Sequence, residues 1–324
     1  MKENKHWRWL LIIGIPILFA LIIRGIYGLN GRVWEELFSV MSVTFLLLLP
    51  FAVGAITIYL SDIEKVKSKA YRFFMPWLPI FGFFILTLLL SIEGWACWVM
   101  ILPVFLLAAS IGGFIAGYYK LRNAKKNGKL YVSLLALLPL LISPIEQSIK
   151  TIPGTYKAYT FIDIKAAPQA IWSNVTRVAT IQEKQDKGWL AKFLDFPRPI
   201  KAELDFEGVG ASREAIFSKG LVFHELVREY QHQKKMVFTI KANPYEIPST
   251  TMDEHIVVGG DFFDVLDGTY ELEKLNENDY RLHLYSHFEM KTNFNFYASY
   301  WGKLIMQDIQ NNILQVIKYR AEHY

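Results

Sequence analysis

Residues 208–231 have the sequence GVGASREAIFSKGLVFHELVREYQ, and this stretch decides the fold of the second half of the chain. Apolar and polar residues alternate over Ala211–Ser218 and again over Leu221–Gln231, which is the period of a half-buried β-strand. Ser218-Lys219-Gly220 between the two runs predicts a tight turn, and therefore an antiparallel hairpin. Opposite residues share one face of the sheet. With a three-residue loop, the predicted cross-strand pairs are Phe217 with Leu221, Ala215 with Phe223, and Arg213 with Glu225.

The same pattern continues on both sides of this hairpin. Lys157–Ile164 predicts a strand, and Ala167–Trp172, with a proline near its first turn, predicts a short helix. From about Asn295 to Glu322 apolar residues recur at three- and four-residue steps, which predicts a long terminal helix. The order of these elements predicts an α+β fold in which helices cover one face of an antiparallel sheet. The other predicted strands are Lys201–Glu207, Lys234–Ala242, Thr269–Leu275 and Tyr280–Met290.

At these residues the chain resembles the START-like superfamily, which includes polyketide cyclases and lipid-transfer proteins. The resemblance is carried by residues 208–231 together with 167-APQAIWSNV-175 and 259-GGDFFDVLDGTYELEKL-275, and it covers about residues 155–322. It implies a helix-grip fold, a curved sheet wrapped around the long C-terminal helix, with an elongated apolar cavity between them. The superfamily shares no catalytic residues throughout, so the resemblance assigns none here.

The composition separates the two halves of the chain. Of 324 residues, 52% are hydrophobic and 20% charged, which is more apolar than an average soluble domain. Residues 1–146 contain 14 Lys or Arg and 7 Asp or Glu, whereas residues 147–324 contain 21 and 23. The basic excess therefore lies in short loops between apolar runs, and it does not indicate a nucleic-acid partner. Disorder, collagen and disulfide scaffolds are excluded, the last because Cys97 is the only cysteine.

Five apolar runs approach the length of about 20 residues that a transmembrane helix needs. None has a charged residue in its interior, which argues against an ion pump or a coupled transporter. We therefore expect an α-helical membrane domain of five transmembrane helices over residues 1–148 and a soluble START-like domain over residues 149–324. The five runs are Trp9–Ile23, Leu37–Leu60, Phe74–Ile92, Trp95–Tyr118 and Leu130–Ile145.

The basic residues of the loops predict the orientation. Twelve Lys or Arg residues fall in the N-terminus and in the loops after the second and fourth runs, whereas only Arg24 and Arg32 fall in the other two loops. By the positive-inside rule the N-terminus is cytoplasmic, and five crossings place the C-terminal domain on the outer side of the cell membrane. The first and last runs are the shortest, and the sidedness reverses if one of them does not span.

Arg213 and Glu225 form the most informative polar pair, because the predicted register places them opposite each other on an apolar face. One interpretation is a structural cross-strand ion pair. The other is a polar group at a cavity wall that orients the head group of a ligand.

The remaining candidates for ligand contact are apolar. They lie on the inward face of the strands and on the stripe of the terminal helix, where such side chains form either a core or the wall of a pocket. Together with Arg213 and Glu225, the candidate ligand-binding residues are Phe238, Ile240, Tyr270, Leu284, Tyr297 and Trp301.

The sequence offers no catalytic residue, metal site or cofactor site. Gly208, Gly210 and Arg213 match the start of a dinucleotide loop, but a strand follows them where that loop needs a helix. Their glycines indicate a hairpin corner. His283 and His287 share a strand face but lie about 13 Å apart, too far for one ion.

These observations favour a non-enzymatic, membrane-anchored module whose partners are the lipid bilayer and a lipid or other hydrophobic small molecule. Two alternatives stay open. An enzyme of the polyketide cyclase type would need a polar residue such as Arg213, Glu225 or Tyr270 for acid–base work in the cavity. A sensing or assembly module would need two conformations that couple ligand binding to the membrane helices.

Overall fold

The computed structural model describes residues 5–29, 34, 36–124, 132–149, 151–243 and 258–323. The chain divides into two units, Met1–Thr151 and Ile152–Tyr324. The first is helical, and the second combines a sheet with helices.

The helical unit contains seven described α-helices and one π-helical turn. The π-helical turn, Thr44–Leu48, runs directly into the α-helix Leu49–Leu60. Pro16, Pro103, Pro139 and Pro144 lie inside helices, as neighbouring helices in a bundle permit. The helices are α1 (Lys5–Tyr27), α2 (Leu49–Leu60), α3 (Ile63–Val66), α4 (Lys69–Phe74), α5 (Trp77–Leu89), α6 (Trp95–Ala124) and α7 (Val132–Ser148).

Three helical segments in the described residues are long and apolar enough to cross a membrane: Trp7–Tyr27, Lys69–Leu89 and Trp95–Asn123. The expected set of five long spans is therefore not confirmed. The second predicted run shortens to Thr44–Leu60 because residues 36–42 form turns ahead of the helix. The fifth predicted run, Leu130–Ile145, begins outside the described residues, and its helix is described over Val132–Ser148, a length of 17 residues. The first run, expected to be among the shortest, is 21 residues long.

Polar contacts show how the helix ends are arranged within this unit. Arg8 near the start of α1 pairs with Asp62 just after α2, and Lys120 near the end of α6 donates to the carbonyl of Tyr59 at the end of α2. At the opposite ends, Arg24 near the end of α1 forms an ion pair with Glu93 just before α6. Successive helices therefore cross the bundle in alternating directions.

The Glu146 carboxylate near the end of α7 accepts the backbone N–H groups of Val43 at 2.7 Å and Thr44 at 2.8 Å. These donors have no partner within their own helix, and the positive end of the helix dipole favours a carboxylate there. Glu146 therefore fixes the end of α7 against the start of the π-helical turn.

Helices α2 and α6 approach each other so closely that only glycine fits at two contacts. A Cβ atom on Gly54 would lie 1.9 Å from the carbonyl oxygen of Ala109, and one on Gly112 would lie 2.0 Å from that of Phe51. Small residues that allow backbones to approach are a common way for membrane helices to associate, because packing replaces the hydrophobic driving force.

Replacing Gly112 with alanine is expected to separate α2 from α6 and to destabilise the helical unit by about 1–3 kcal/mol, the usual cost of overpacking. The measurement is the temperature at which the purified full chain in detergent loses its monodisperse elution peak. Gly14→Ala is the matched control, since its Cβ atom would meet nothing within 4 Å. Equal stability of the two variants would contradict the close packing.

The second unit contains a seven-stranded antiparallel sheet, whose strands are β1 (Gly154–Lys165), β2 (Pro199–Leu204), β3 (Ser212–Phe217), β4 (Val222–Gln231), β5 (Lys235–Ala242), β6 (Phe263–Lys274) and β7 (Asp279–Met290). Their order in the sheet is β1-β7-β6-β5-β4-β3-β2. Helix α8 (Pro168–Thr176) and the short α9 (Trp189–Phe193) follow β1, and the long α10 (Asn295–His323) ends the chain. α10 packs against β1 and β7, and α8 packs against α10 and β2.

This arrangement confirms the predicted antiparallel sheet and long terminal helix, and it is consistent with a helix-grip fold. The hairpin register is also confirmed: Arg213 opposes Glu225, Ala215 opposes Phe223, and the Phe217 N–H donates to the Leu221 carbonyl at 2.8 Å. Gly210 has a φ of 87°, as expected of a hairpin corner.

Strand β6 begins six residues earlier than the predicted Thr269, at Phe263. The register of β6 against β7 shifts between Val265 and Asp267, and Gly268 follows this irregularity. Because a bulge interrupts the period of two, sequence alternation does not detect this part of the strand.

Candidate functional site

The interior between the sheet and α10 has a buried half and a partly exposed half. From Gln310 onward, α10 buries Leu314, Ile317 and Ala321 in one apolar cluster with residues of the sheet and of α8. From Tyr297 to Ile309 its large apolar side chains are only partly buried, although Gly302 is buried against Phe288. We call residues Gln310–Ala321 and their neighbours the buried half, and residues Tyr297–Ile309 and their neighbours the partly exposed half.

Arg213 and Glu225 lie in the interior, and each side chain is only 4% exposed. The guanidinium donates to the Glu225 carboxylate across the β3–β4 pair. It also points at the C-terminal carbonyls of α8, with Nε 3.4 Å from the Thr176 oxygen and Nη2 3.5 Å from the Val175 oxygen. A cation at this end of a helix satisfies carbonyls that lack intrahelical donors. Arg213 therefore joins the hairpin to α8.

Two aromatic rings complete the environment of this ion pair. The guanidinium carbon lies 5.5 Å from the centroid of the Phe238 ring and 5.9 Å from that of Tyr270, within the range of cation–π attraction.

The electrostatics of the pair follow from burial and from its partners. Burial lowers the pKa of Arg213, but Glu225 and Tyr270 raise it by more, so it stays above its ordinary value and the guanidinium stays charged. Burial raises the pKa of Glu225, and the Arg213 charge opposes this. Burial also raises the pKa of Tyr270 to about 12. Tyr270 therefore keeps its proton at neutral pH and can donate a hydrogen bond there, but it cannot act as a base.

A second polar group in the interior was not found from the sequence. Thr160 of β1 donates to the Gln310 side-chain oxygen at 3.3 Å, and the Gln310 amide donates to the Ser286 hydroxyl of β7 at 3.2 Å. All three residues are buried. The sequence does indicate this position, because Gln310 is four residues from both Met306 and Leu314 and therefore lies on the inward face of α10.

The structure divides the predicted ligand-binding residues between the two halves. Arg213, Phe238, Tyr270 and Leu284 are close to one another in or beside the main apolar cluster, with Glu225 paired to Arg213. Ile240 packs partly against this cluster and partly against a second one, which contains Phe217, Leu221 and Val265 with Met306 and Ile309 of α10. Tyr297 and Trp301 belong to the partly exposed half, where burial raises the pKa of Tyr297.

A solvent-open pocket of about 420 Å³ lies elsewhere, at the β4–β5 turn. It contains none of the predicted residues. Most of its lining side chains are polar or charged, including Lys234, Lys274 and Glu271, and this does not suit an apolar ligand.

The two strand histidines have carboxylate partners. His283 lies 3.1 Å from Glu273, and His287 lies 2.8 Å from Asp267. Over the described residues, the structure brings together no group of three or more His, Cys, Asp or Glu side chains that could hold a metal ion.

Comparison with known proteins adds only fold-level likeness. No family model and no curated protein matches the chain. Among solved structures, a START superfamily protein from Mycobacterium smegmatis is 11% identical, covers 52% of this chain and 98% of its own, and has a TM-score of 0.33. An aromatase/cyclase from a Streptomyces species is 12% identical, with 52% and 94% covered and a TM-score of 0.33. A truncated norcoclaurine synthase from Thalictrum flavum is also 12% identical, with 52% and 96% covered and a TM-score of 0.30.

These neighbours are START-like and cyclase-like proteins, and their likeness is to about half of the chain. At such identities and TM-scores they carry no argument about what this chain does.

Arg213→Met is expected to destabilise the sheet unit by about 3–5 kcal/mol, because it leaves the Glu225 carboxylate buried without its partner. Pulse proteolysis of the full chain in urea measures this. Replacing both residues, as Arg213→Met with Glu225→Leu, is expected to restore most of the stability. Arg281→Met is the control, since its ion pair with Asp163 lies at the solvent-exposed edge of the sheet, where water screens it, and its loss is expected to change the stability little. A double variant no more stable than Arg213→Met would refute the coupling.

Proposed function

We propose that this chain is a membrane-anchored, non-enzymatic binding protein whose sheet unit accommodates a lipid or another hydrophobic small molecule. The observation that carries the proposal is the contrast along α10. The inward face of its second half is buried against the sheet, whereas Tyr297, Trp301 and Met306 of its first half are large apolar side chains that the described residues cover only in part. A hydrophobic ligand that binds to uncovered apolar surface beside a buried core removes that surface from water, and this stabilises the complex.

The ligand is proposed to lie along the partly exposed half, against Tyr297, Trp301 and Ile240. Each 100 Å² of apolar surface that it removes from water contributes about 2.5 kcal/mol. Phe238, Tyr270 and Leu284 would form the inner end of such a site. The Arg213–Glu225 pair would orient a polar group that reached it, with Tyr270 as a hydrogen-bond donor.

The helical unit is proposed to cross the membrane five times, with the N-terminus in the cytoplasm and the sheet unit on the outer side. Three long apolar helices support a membrane location, and the alternating helix ends of the bundle support five traverses. The 17 residues of α7 lie at the lower limit for a span. A tethered site meets membrane ligands at high effective concentration without any new contact.

The ligand proposal is tested with the full chain purified from its membranes. Mass spectrometry of extracted material is expected to detect a recurring apolar molecule, and a pyrene-labelled fatty acid is expected to bind. Trp301→Ala is expected to weaken that binding roughly ten-fold, the loss of part of a buried aromatic contact. Tyr319→Ala, on the exposed face of the far end of α10, is the control and should bind as the parent does.

Repeated recovery of an empty chain that binds the probe no better than the detergent micelle would contradict the proposal. Conversion of the probe to a product of different mass, abolished by Glu225→Gln, would favour the cyclase-type enzyme instead.

The orientation is tested with single cysteines in a Cys97→Ala background. A membrane-impermeant maleimide is expected to label Lys274→Cys in the sheet unit on intact cells. It should label Lys67→Cys, in the basic loop after α3, only after permeabilisation. The opposite labelling pattern would reverse the sidedness, and labelling of both sites on intact cells would exclude an odd number of crossings between them.

A further inference from the structure

The first two turns of α10 carry exposed aromatic side chains with no counterpart in the middle of that helix. Phe296 is 72% exposed and Tyr300 60% exposed. Further along the same solvent face, the exposed positions are Lys303, Asn311 and Gln315, and the next aromatic residue, Tyr319, stacks on His323. The exposed face therefore changes from apolar to polar within about one turn.

Ile152 extends this apolar region. It is 84% exposed, the highest exposure of any large hydrophobic side chain in the described residues. The Asn295 side-chain amide donates to the Ile152 carbonyl at 3.1 Å and also to the Met290 carbonyl at 3.0 Å. The backbone of Ile152 is therefore held by a hydrogen bond beside the first residue of α10. We call Ile152, Phe296 and Tyr300 the junction patch.

The position of the junction patch in the chain points to its partner. Ile152 follows Ser148, the last residue of α7, by four residues, so the covalent chain keeps the two Cα atoms within about 14 Å. If α7 crosses a membrane, the patch cannot be far from the membrane surface. Aromatic side chains with Lys303 one turn beyond them have the composition of an interfacial anchor, in which rings enter the acyl boundary and an amine stays among the head groups.

We propose that the junction patch inserts into the interfacial layer of the bilayer that holds the helical unit, to about the level of Lys303. The inference rests on the membrane anchoring of the proposed function and deepens it. Trp301 follows Tyr300 directly, and their ring centroids are 6.5 Å apart. The partly exposed half of the interior therefore borders the patch, and an apolar ligand can pass between the bilayer and that half along an apolar surface.

The test uses the full chain in phosphatidylcholine–phosphatidylglycerol vesicles that carry a doxyl-labelled lipid. In a Cys97→Ala background, Phe296→Cys and Ile152→Cys are labelled in turn with the environment-sensitive dye NBD. At both positions the emission is expected to shift to the blue and to fall by roughly two-fold when the doxyl lipid is present, as for a side chain in the acyl boundary. Asn311→Cys, on the polar part of the same face of α10, is the matched control and is expected to emit as in water.

Water-like emission at positions 152 and 296 as well as at 311 would overturn the inference. Flotation of the same vesicles distinguishes this failure from failure of the proposed function. If the chain floats with the vesicles but shows no quenching at the junction patch, the inference about insertion fails and the membrane anchoring stands. A chain that does not float refutes the membrane anchoring, and the inference fails with it.

Discussion

The sheet unit depends on one buried ion pair, Arg213 with Glu225. A charge in an apolar interior is tolerated only when its partners replace the water it has lost. Here the partners come from two elements: the carboxylate of the neighbouring strand and the last carbonyls of α8. The pair therefore holds α8 against the β3–β4 hairpin, whose register the Ser218-Lys219-Gly220 turn sets.

This fixed region explains where the interior can open. From Gln310 onward the inward face of α10 is buried beside the cluster that includes α8, and the Thr160–Gln310–Ser286 hydrogen bonds secure it against β1 and β7. The earlier turns of α10 lie beyond these constraints, and their apolar side chains stay partly uncovered. Rigidity at one end of the helix and open apolar surface at the other end suit a binding site that must admit a ligand without unfolding the sheet.

Much of this architecture could be predicted from the sequence, because its signals are local. Ser218-Lys219-Gly220 determined the hairpin register, which placed Arg213 opposite Glu225, and the spacing of apolar residues located the terminal helix. The early start of β6 could not be predicted, since the shift at Val265 breaks the alternation. Nor could the alternation of apolar and polar residues predict which inward side chains are fully buried and which are partly exposed. That division depends on how α8 and α10 meet the sheet, and this is a tertiary property.

The helical unit shows the same limit. Hydropathy located the apolar runs but overestimated the second helix, because the turns before Thr44 are apolar enough to resemble its continuation. Sequence patterns also could not predict contacts between segments that are distant in the chain. These are the contact of α2 with α6 at Gly54 and Gly112 and the cap that Glu146 provides.

Hydrogen–deuterium exchange along α10, measured on the full chain in lipid nanodiscs, tests the central claim most directly. The account predicts faster exchange for amides of residues 297–309 than for those of residues 310–321. When lipid extract is added, exchange is expected to slow at residues 297–309 only. Uniform protection along the whole helix, unchanged by lipid extract, would contradict the account.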